Sequence, residues 1–311
     1  MHTALVGYTG FVGGNLAASH PFTALYNSRN ITEAFGTRPD LLIYAGVPAA
    51  KYLANRDPEA DWQAVHGAFE NIRAIAPRQL VLISTVDVYA DPQGVDENTP
   101  ADTDAPGAYG RNRARLEALV RQAVPNCTVV RLPALLGNGL KKNFLHDILH
   151  PAPTMLMPDR MRQLESEPLV ARCYQPVDRG FVQVCTSAAE RAELDAWFAK
   201  QPFNALSFTD SRARYQFYDL SLLWRDLTVA LAHRLPVLNL TAEPLCAADI
   251  YAALTHGGVF ENHISSNPVS YDMRSIHAGL FGGENGYCLS AADSMNAIRS
   301  FMAAAHREGT R

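Results

Sequence analysis

The sequence predicts an α/β fold, a doubly wound parallel sheet with a smaller C-terminal substrate lobe. Three observations predict it. Short apolar runs without polar alternation recur through the first 137 residues, helical patterns separate them, and the first run enters a turn with glycines at regular spacing. Strands buried on both faces of a parallel sheet read in this unalternated way.

The strands are expected at Ala4-Leu5-Val6, Ala24-Leu25-Tyr26, Leu41-Leu42-Ile43-Tyr44, Leu80-Val81-Leu82-Ile83 and Thr128-Val129-Val130. Helical patterns lie between them at about 14–19, 56–76 and 108–123, the last with Leu116, Leu119, Val120 and Val124 on one face. After Gly137 the rhythm loosens, and prolines at 151–158, 168 and 176 are expected to break helices. Strand and helix patterns return over Arg214–Ala232 and Val237–Leu240, and a helix is expected around Asp293–Ala305. This predicts a dinucleotide-binding core from 1–138 and 206–242, and a substrate lobe from 139–205 and 243–311, laid over the carboxyl edge of the sheet where such sheets bind ligands.

Bulk properties narrow the function. The chain has 311 residues, is 48% hydrophobic and carries a net charge of −4 with no long basic run, which argues against nucleic acid or an anionic membrane as partner. No run of about 18 apolar residues is present to span a bilayer. Met1 leads straight into a strand, which leaves no room for a signal peptide. Five scattered cysteines without a Cys-x-x-Cys pair suit a reducing cytoplasm. Only four of the 27 basic residues are lysines: Lys51, Lys141, Lys142 and Lys200.

Chemistry enters at the glycine turn. Gly7, Gly10 and Gly13 follow a G-x-x-G-x-x-G spacing between a strand and a helix. Such a turn aims backbone N–H groups at a diphosphate on a helix N-terminus. Gly7 permits the turn, Gly10 lets the main chain approach the pyrophosphate, and Gly13 lets the helix lie close to the strand. A second constellation follows Leu80–Ile83 with Ser84-Thr85-Val86-Asp87-Val88-Tyr89, and then Tyr109-Gly110-Arg111-Asn112-Arg113, where Tyr109 and Arg113 share a helix face. A phenol ionises near pH 10, so proton exchange near neutrality requires a cation beside it. A hydroxyl such as that of Thr85, bonded to the same substrate oxygen, would complete a site for carbonyl/alcohol interconversion.

On these motifs the chain resembles the extended short-chain dehydrogenases/reductases, the NAD(P)-dependent epimerase/dehydratase family with a Rossmann core. The glycine motif, Thr85 in the Ser-Thr-x-x-Val-Tyr segment, and Tyr109 as the tyrosine of Tyr-x-x-x-Lys carry the likeness. Arg131 to Gly137, and Arg212 to Leu220, resemble two further family segments. The resemblance implies hydride transfer on a nucleotide-activated sugar, by an epimerase or a 4-ketoreductase. It implies catalytic roles for Thr85, Tyr109, Arg113 and Asp87. Dinucleotide contacts are implied at Gly7, Thr9, Gly10, Phe11, Val12, Gly13, Asn27, Ser28, Arg29, Ala45, Gly46, Val47, Ser84, Arg113 and Pro133, and substrate contacts at Asn143, Arg212 and Arg274. It also implies a homodimer through the helices near 56–76 and 108–123.

Departures from the family pattern sharpen the expectation. Arginine stands at 113 in place of the lysine that holds the nicotinamide ribose and lowers the tyrosine pKa, an exchange that is not conservative. Lys51, beyond Tyr44-Ala45-Gly46, is a remoter source of an ammonium. Ala134 replaces a substrate-binding asparagine, and Thr85-Val86-Asp87 keeps only one dehydratase acid. No acidic residue follows the second strand, where Asn27-Ser28-Arg29 instead offers a guanidinium to a 2′-phosphate, so NADP is favoured over NAD. Arg113 also motivates an alternative, a catalytically inactive protein that binds NAD(P) or a sugar nucleotide. His146 and His150, four apart, are read as surface or packing residues and no metal is expected. Tyr215, Phe217, Tyr218 and Trp224 are read as core.

Overall fold

A computed structural model describes residues 1–177 and 180–309. Asp178, Arg179, Thr310 and Arg311, which the expected lobe includes, lie outside the described residues. The chain divides into two compact units.

The first unit comprises Met1–Gly139, Arg214–Leu245 and Ser270–Phe301. Its centre is a six-stranded parallel sheet. The strands are β1 (Thr3–Val6), β2 (Ala24–Tyr26), β3 (Leu41–Tyr44), β4 (Leu80–Thr85), the short outlying β5 (Gln93–Val95), which is not part of the sheet, and β6 (Cys127–Leu132). With the strand Val237–Asn239 the order across the sheet is Val237–Asn239, β6, β4, β3, β1, β2. This is the doubly wound α/β architecture that the apolar runs predict. The register is continuous, with Leu5 opposite Ile43, Ile43 opposite Val81 and Leu82 opposite Val129.

Alternation along each strand feeds two cores. The helices of this unit include α1 (Phe11–Ser19), α2 (Lys51–Arg56), α3 (Pro58–Ile75) and α4 (Ala108–Ala123). Val6, Leu42, Tyr44, Leu80, Leu82 and Val129 face one core, to which α3 contributes Val65, Ile72 and Ile75 and α4 contributes Leu116 and Val120. Leu5, Ile43, Val81 and Val130 face the other, against Leu16 of α1 and Leu223 and Leu227 of the helix Leu223–Ala232. Burying both faces explains why the strands read as unbroken apolar runs. The expected helix over 56–76 is α3, whose start is set by Pro58 in its first turn and by Asp57, which caps it by accepting from the Ala60 N–H; α2 precedes it.

The second unit comprises Leu140–Ala213, Cys246–Val269 and the chain from Met302. It contains a three-stranded antiparallel sheet with Phe181–Val184 between Met155–Leu156 and Tyr174–Val177. Leu156, Val170, Tyr174, Leu194 and Phe198 form its core. Two of the prolines expected to break helices start them instead: Pro158 and Pro168 open the helices Pro158–Leu164 and Pro168–Cys173, where the missing N–H costs nothing. Residues 206–213 thus group with the second unit and 270–301 with the first, unlike the expected ranges. Among the described residues no helix is long and apolar enough to cross a membrane.

Candidate active site

The glycine turn is built on contact distances that exclude side chains. Gly7 has φ +92°, and a Cβ on Gly13 would lie 2.1 Å from the Gly7 carbonyl oxygen. Helix α1 therefore lies directly on the end of β1. Its N-cap, Gly10, has no side-chain acceptor and its first turn has no acidic residue, so the N–H groups of that turn have no capping side chain. Thr9 and Gly10 are exposed, Phe11 and Val12 half-buried. At the end of β2 the Asn27 side chain accepts from the Arg29 N–H at 2.9 Å, an Asx turn that leaves Ser28 and Arg29 at the surface. Ala45, Gly46 and Val47 follow β3 at the same edge, and Pro133 follows β6.

At the end of β4 the main chain tightens into a turn, Val86–Val88, where the Thr85 hydroxyl accepts from the Asp87 N–H at 3.2 Å. From this turn the Thr85 hydroxyl favours the ionised form of the Tyr109 phenol. The start of α4 is brought onto this turn by Gly110, where a Cβ would lie only 1.8 Å from the Asp87 carbonyl oxygen. The Tyr109 N–H donates to Asn55 Oδ1 of α2 at 2.9 Å. The structure thus brings Thr85, Asp87, Tyr109 and Arg113 together.

Arg113 is not placed as expected. Its terminal nitrogens donate to both carboxylate oxygens of Asp61 at 2.6 and 2.9 Å, to the Pro48 carbonyl and to the Tyr109 carbonyl. Both side chains of the pair are buried. The guanidinium carbon lies 3.9 Å from the Tyr109 ring centre. A guanidinium held in this way stacks on the ring but has no terminal N–H left for a ribose, which corrects the expectation that Arg113 grips the cofactor. The Ser84 hydroxyl donates to Glu117 at 2.5 Å, within the buried ion pair of Glu117 and Arg131.

Burial pushes the Tyr109 phenol above its ordinary pKa, and the Asp87 carboxylate adds to this; Arg113, the Thr85 hydroxyl and Lys51 act in the opposite direction. Lys51, the first residue of α2, stands at this site with Nζ 2.6 Å from Asp87 Oδ1. The same oxygen accepts from the Tyr271 hydroxyl at 3.3 Å. Tyr271 was missed by sequence reasoning. It is brought in by the pairing of Asp272–Met273 with β5, where Asp272 meets Gln93 with no local signal.

The expected substrate residues are held by their own neighbours. Arg274, in the first unit, pairs with Asp272 at 3.2 Å and lies over the Tyr287 ring. Arg212, in the second, pairs with Asp210 at 2.8 Å and donates to the Ser265 carbonyl. Asn143 has φ 120° and caps the helix Phe144–Leu149 by accepting from the Leu145 and His146 N–H groups. That capping bond accounts for an asparagine there without a diphosphate. His150 is paired with Asp195 at 2.8 Å, and among the described residues no group of three ligating side chains could hold a metal. Of the four aromatic residues read as core, Phe217 and Tyr218 are fully buried, whereas Tyr215 and Trp224 are half-buried.

Comparison with known proteins follows the same line. Residues 6–156 match the family model described as RmlD substrate binding domain. A dTDP-4-dehydrorhamnose reductase from Clostridium acetobutylicum superposes with a TM-score of 0.62 at 12% identity, covering 98% of this chain and 100% of that one. The same enzyme from Bacillus anthracis, solved with NADP, gives 0.62 at 13% identity over 97% of each chain. A UDP-glucose 4-epimerase from Thermotoga maritima, solved with UDP-glucose, gives 0.62 at 11% identity over 98% of this chain and 100% of that one. No curated protein sequence matches the chain. The fold is thus shared with these reductases and epimerases, and the family match covers residues 6–156.

Proposed function

We propose that the protein is an NAD(P)-dependent oxidoreductase or epimerase acting at the 4-position of a nucleotide-activated sugar. The observation that carries the reading is the seating of Tyr109, in the first turn of α4, on the turn that follows Thr85 at the carboxyl end of β4, where Gly110 leaves no room for a side chain. Ligands of doubly wound sheets bind at that edge.

The glycine turn fits a dinucleotide, since a side chain at Gly13 would collide with Gly7 and no side chain caps α1. Gly7 to Gly13 would hold the diphosphate, Asn27 to Arg29 the adenosine ribose end, and Ala45 to Val47, Ser84 and Pro133 the remainder through their main chain. A bound nicotinamide supplies or accepts the hydride. Tyr109 gives or takes the proton on the substrate oxygen, and Thr85 donates to the same oxygen. Asp87, through its N–H, keeps the Thr85 hydroxyl oriented as a donor. Arg29, exposed at the end of β2, supports NADP over NAD. The relatives solved with NADP, NADPH or NAD, and with UDP-glucose, support the cofactor and substrate class. Free thiols at all five cysteines suit a reducing compartment such as the cytoplasm, and a homodimer through α3 and α4 follows by analogy.

The test is turnover of NADPH absorbance by the purified protein with a panel of 4-keto sugar nucleotides. Tyr109→Phe is expected to lower kcat by about 10²–10⁴-fold with little change in NADPH affinity. The bond between Arg113 and Asp61 favours a second reading, an inactive binder of NAD(P) or a sugar nucleotide. Cofactor binding without turnover across the panel, and no effect of Tyr109→Phe, would decide for it.

A further inference from the structure

We propose that Lys51, outside the tyrosine helix, supplies the ammonium function missing at position 113, controlling the protonation of Tyr109 together with Asp87 and Tyr271. The proposal rests on Tyr109 being the acid/base of the site.

Lys51 and Asn55 lie four residues apart on one face of α2. Asn55 fixes the main chain of Tyr109, and Lys51 reaches the carboxylate of Asp87. Asp87 is joined to the acid/base pair twice, by its N–H to Thr85 and by its carbonyl under Gly110. Its carboxylate oxygen receives both Lys51 and Tyr271. Lys51, Asp87 and Tyr271 thus form a cluster at the turn on which Tyr109's helix is seated. The other three lysines, Lys141, Lys142 and Lys200, belong to the second unit.

Charge accounting favours Lys51 over Arg113 as the adjustable cation. The groups facing Tyr109 are Arg113 on its own helix, Asp61 on α3 paired to Arg113, Asp87 after β4, Lys51 on α2 and Tyr271. Arg113 is buried in a bidentate pair, so its charge is offset by a fixed partner. Lys51 is half-exposed and compensates Asp87, which otherwise presents an uncompensated negative charge to the phenol and opposes its ionisation. Burial alone would lower the Lys51 pKa, but Asp87 and Tyr271 outweigh this and raise it, so the ammonium stays charged across the physiological range. Lys51 is therefore a positioning residue that acts through Tyr109.

The experiment follows the Tyr109 phenol directly in the full chain without ligand, by NMR of ring-carbon-labelled tyrosine, with the signal assigned through Tyr109→Phe. Lys51→Met is expected to move the onset of phenolate formation upward by about one pH unit, and Asp87→Asn to move it downward. The double variant should fall between them. Lys51→Arg should restore the wild-type onset, a rescue that a packing role would not require. Coincident curves for wild type, Lys51→Met and Asp87→Asn, including curves with no phenolate before alkaline unfolding, would overturn the proposal. Absence of sugar-nucleotide turnover with these shifts intact would overturn the proposed activity alone.

Discussion

At the scale of single residues, Arg113 governs the rest of the site because one substitution in the family pattern changes what its neighbours must do. A guanidinium carries a planar fork, which Asp61 and the Pro48 and Tyr109 carbonyls fill completely at the terminal nitrogens. Arg113→Lys therefore does not restore the family arrangement. It leaves part of the buried Asp61 carboxylate and the Pro48 carbonyl without donors, and is expected to cost about 1–3 kcal/mol in thermal unfolding with no gain in turnover. An unchanged melting temperature, or faster turnover, would contradict this account. Arg29 is at the other extreme, exposed and held only through its main chain in the Asn27 turn. Arg29→Ala should weaken NADPH binding about tenfold and leave NADH binding unchanged, as measured by fluorescence titration. Equal losses for both cofactors would show that Arg29 does not contact a 2′-phosphate.

At the scale of elements, two approaches without side chains set the geometry: α1 on β1 at Gly13, and α4 on the Val86–Val88 turn at Gly110. The second is the more telling, since it seats the first turn of α4, which carries Tyr109, on the turn that follows Thr85. Gly110→Ala places a Cβ 1.8 Å from the Asp87 oxygen, so the first turn of α4 must move. Overpacking of this kind costs about 1–3 kcal/mol. The expected kinetic signature is a fall in kcat larger than any change in NADPH affinity, because the cofactor turn is elsewhere in the unit. A variant with normal kcat would mean that the contact is not what sets the phenol. The glycine spacing and the Tyr109-to-Arg113 periodicity were legible from local sequence. Gly110 was not singled out, since a glycine in a helix reads as merely permissive until the turn it packs against is known.

At the scale of the whole molecule, the two units carry their polar networks differently. In the first, the bidentate pair of Arg131 with Glu117, joined by Tyr89 and Asn239, ties α4 to the sheet. In the second, Asp195 accepts from Arg191 and the Ala152 N–H and pairs with His150. Burial works to raise the Asp195 pKa, but these three partners outweigh it and hold the carboxyl below its ordinary value. A depressed native pKa stabilises the fold above the unfolded value of about 4, and that stabilisation is lost as pH falls through the native value. Asp195→Asn should therefore be less stable than wild type near neutrality, with the difference narrowing below about pH 4 in urea unfolding. A difference that stays constant with pH would assign the Asp195 contribution to shape rather than charge.

The sequence by itself determined the sheet, the glycine turn and the shared helix face of Tyr109 and Arg113, because period, spacing and one helical turn are local properties of the chain. It also located Arg113, Arg212 and Arg274 but not the carboxylates that hold them. Tertiary structure decided that. A cation's role depends on which carboxylate reaches it first, and Asp61, Asp210 and Asp272 each take one arginine. Lys51 meets Asp87 across 36 positions, and Tyr271 meets it across 184. Coulomb attraction and burial act through space, so no spacing along the chain records them.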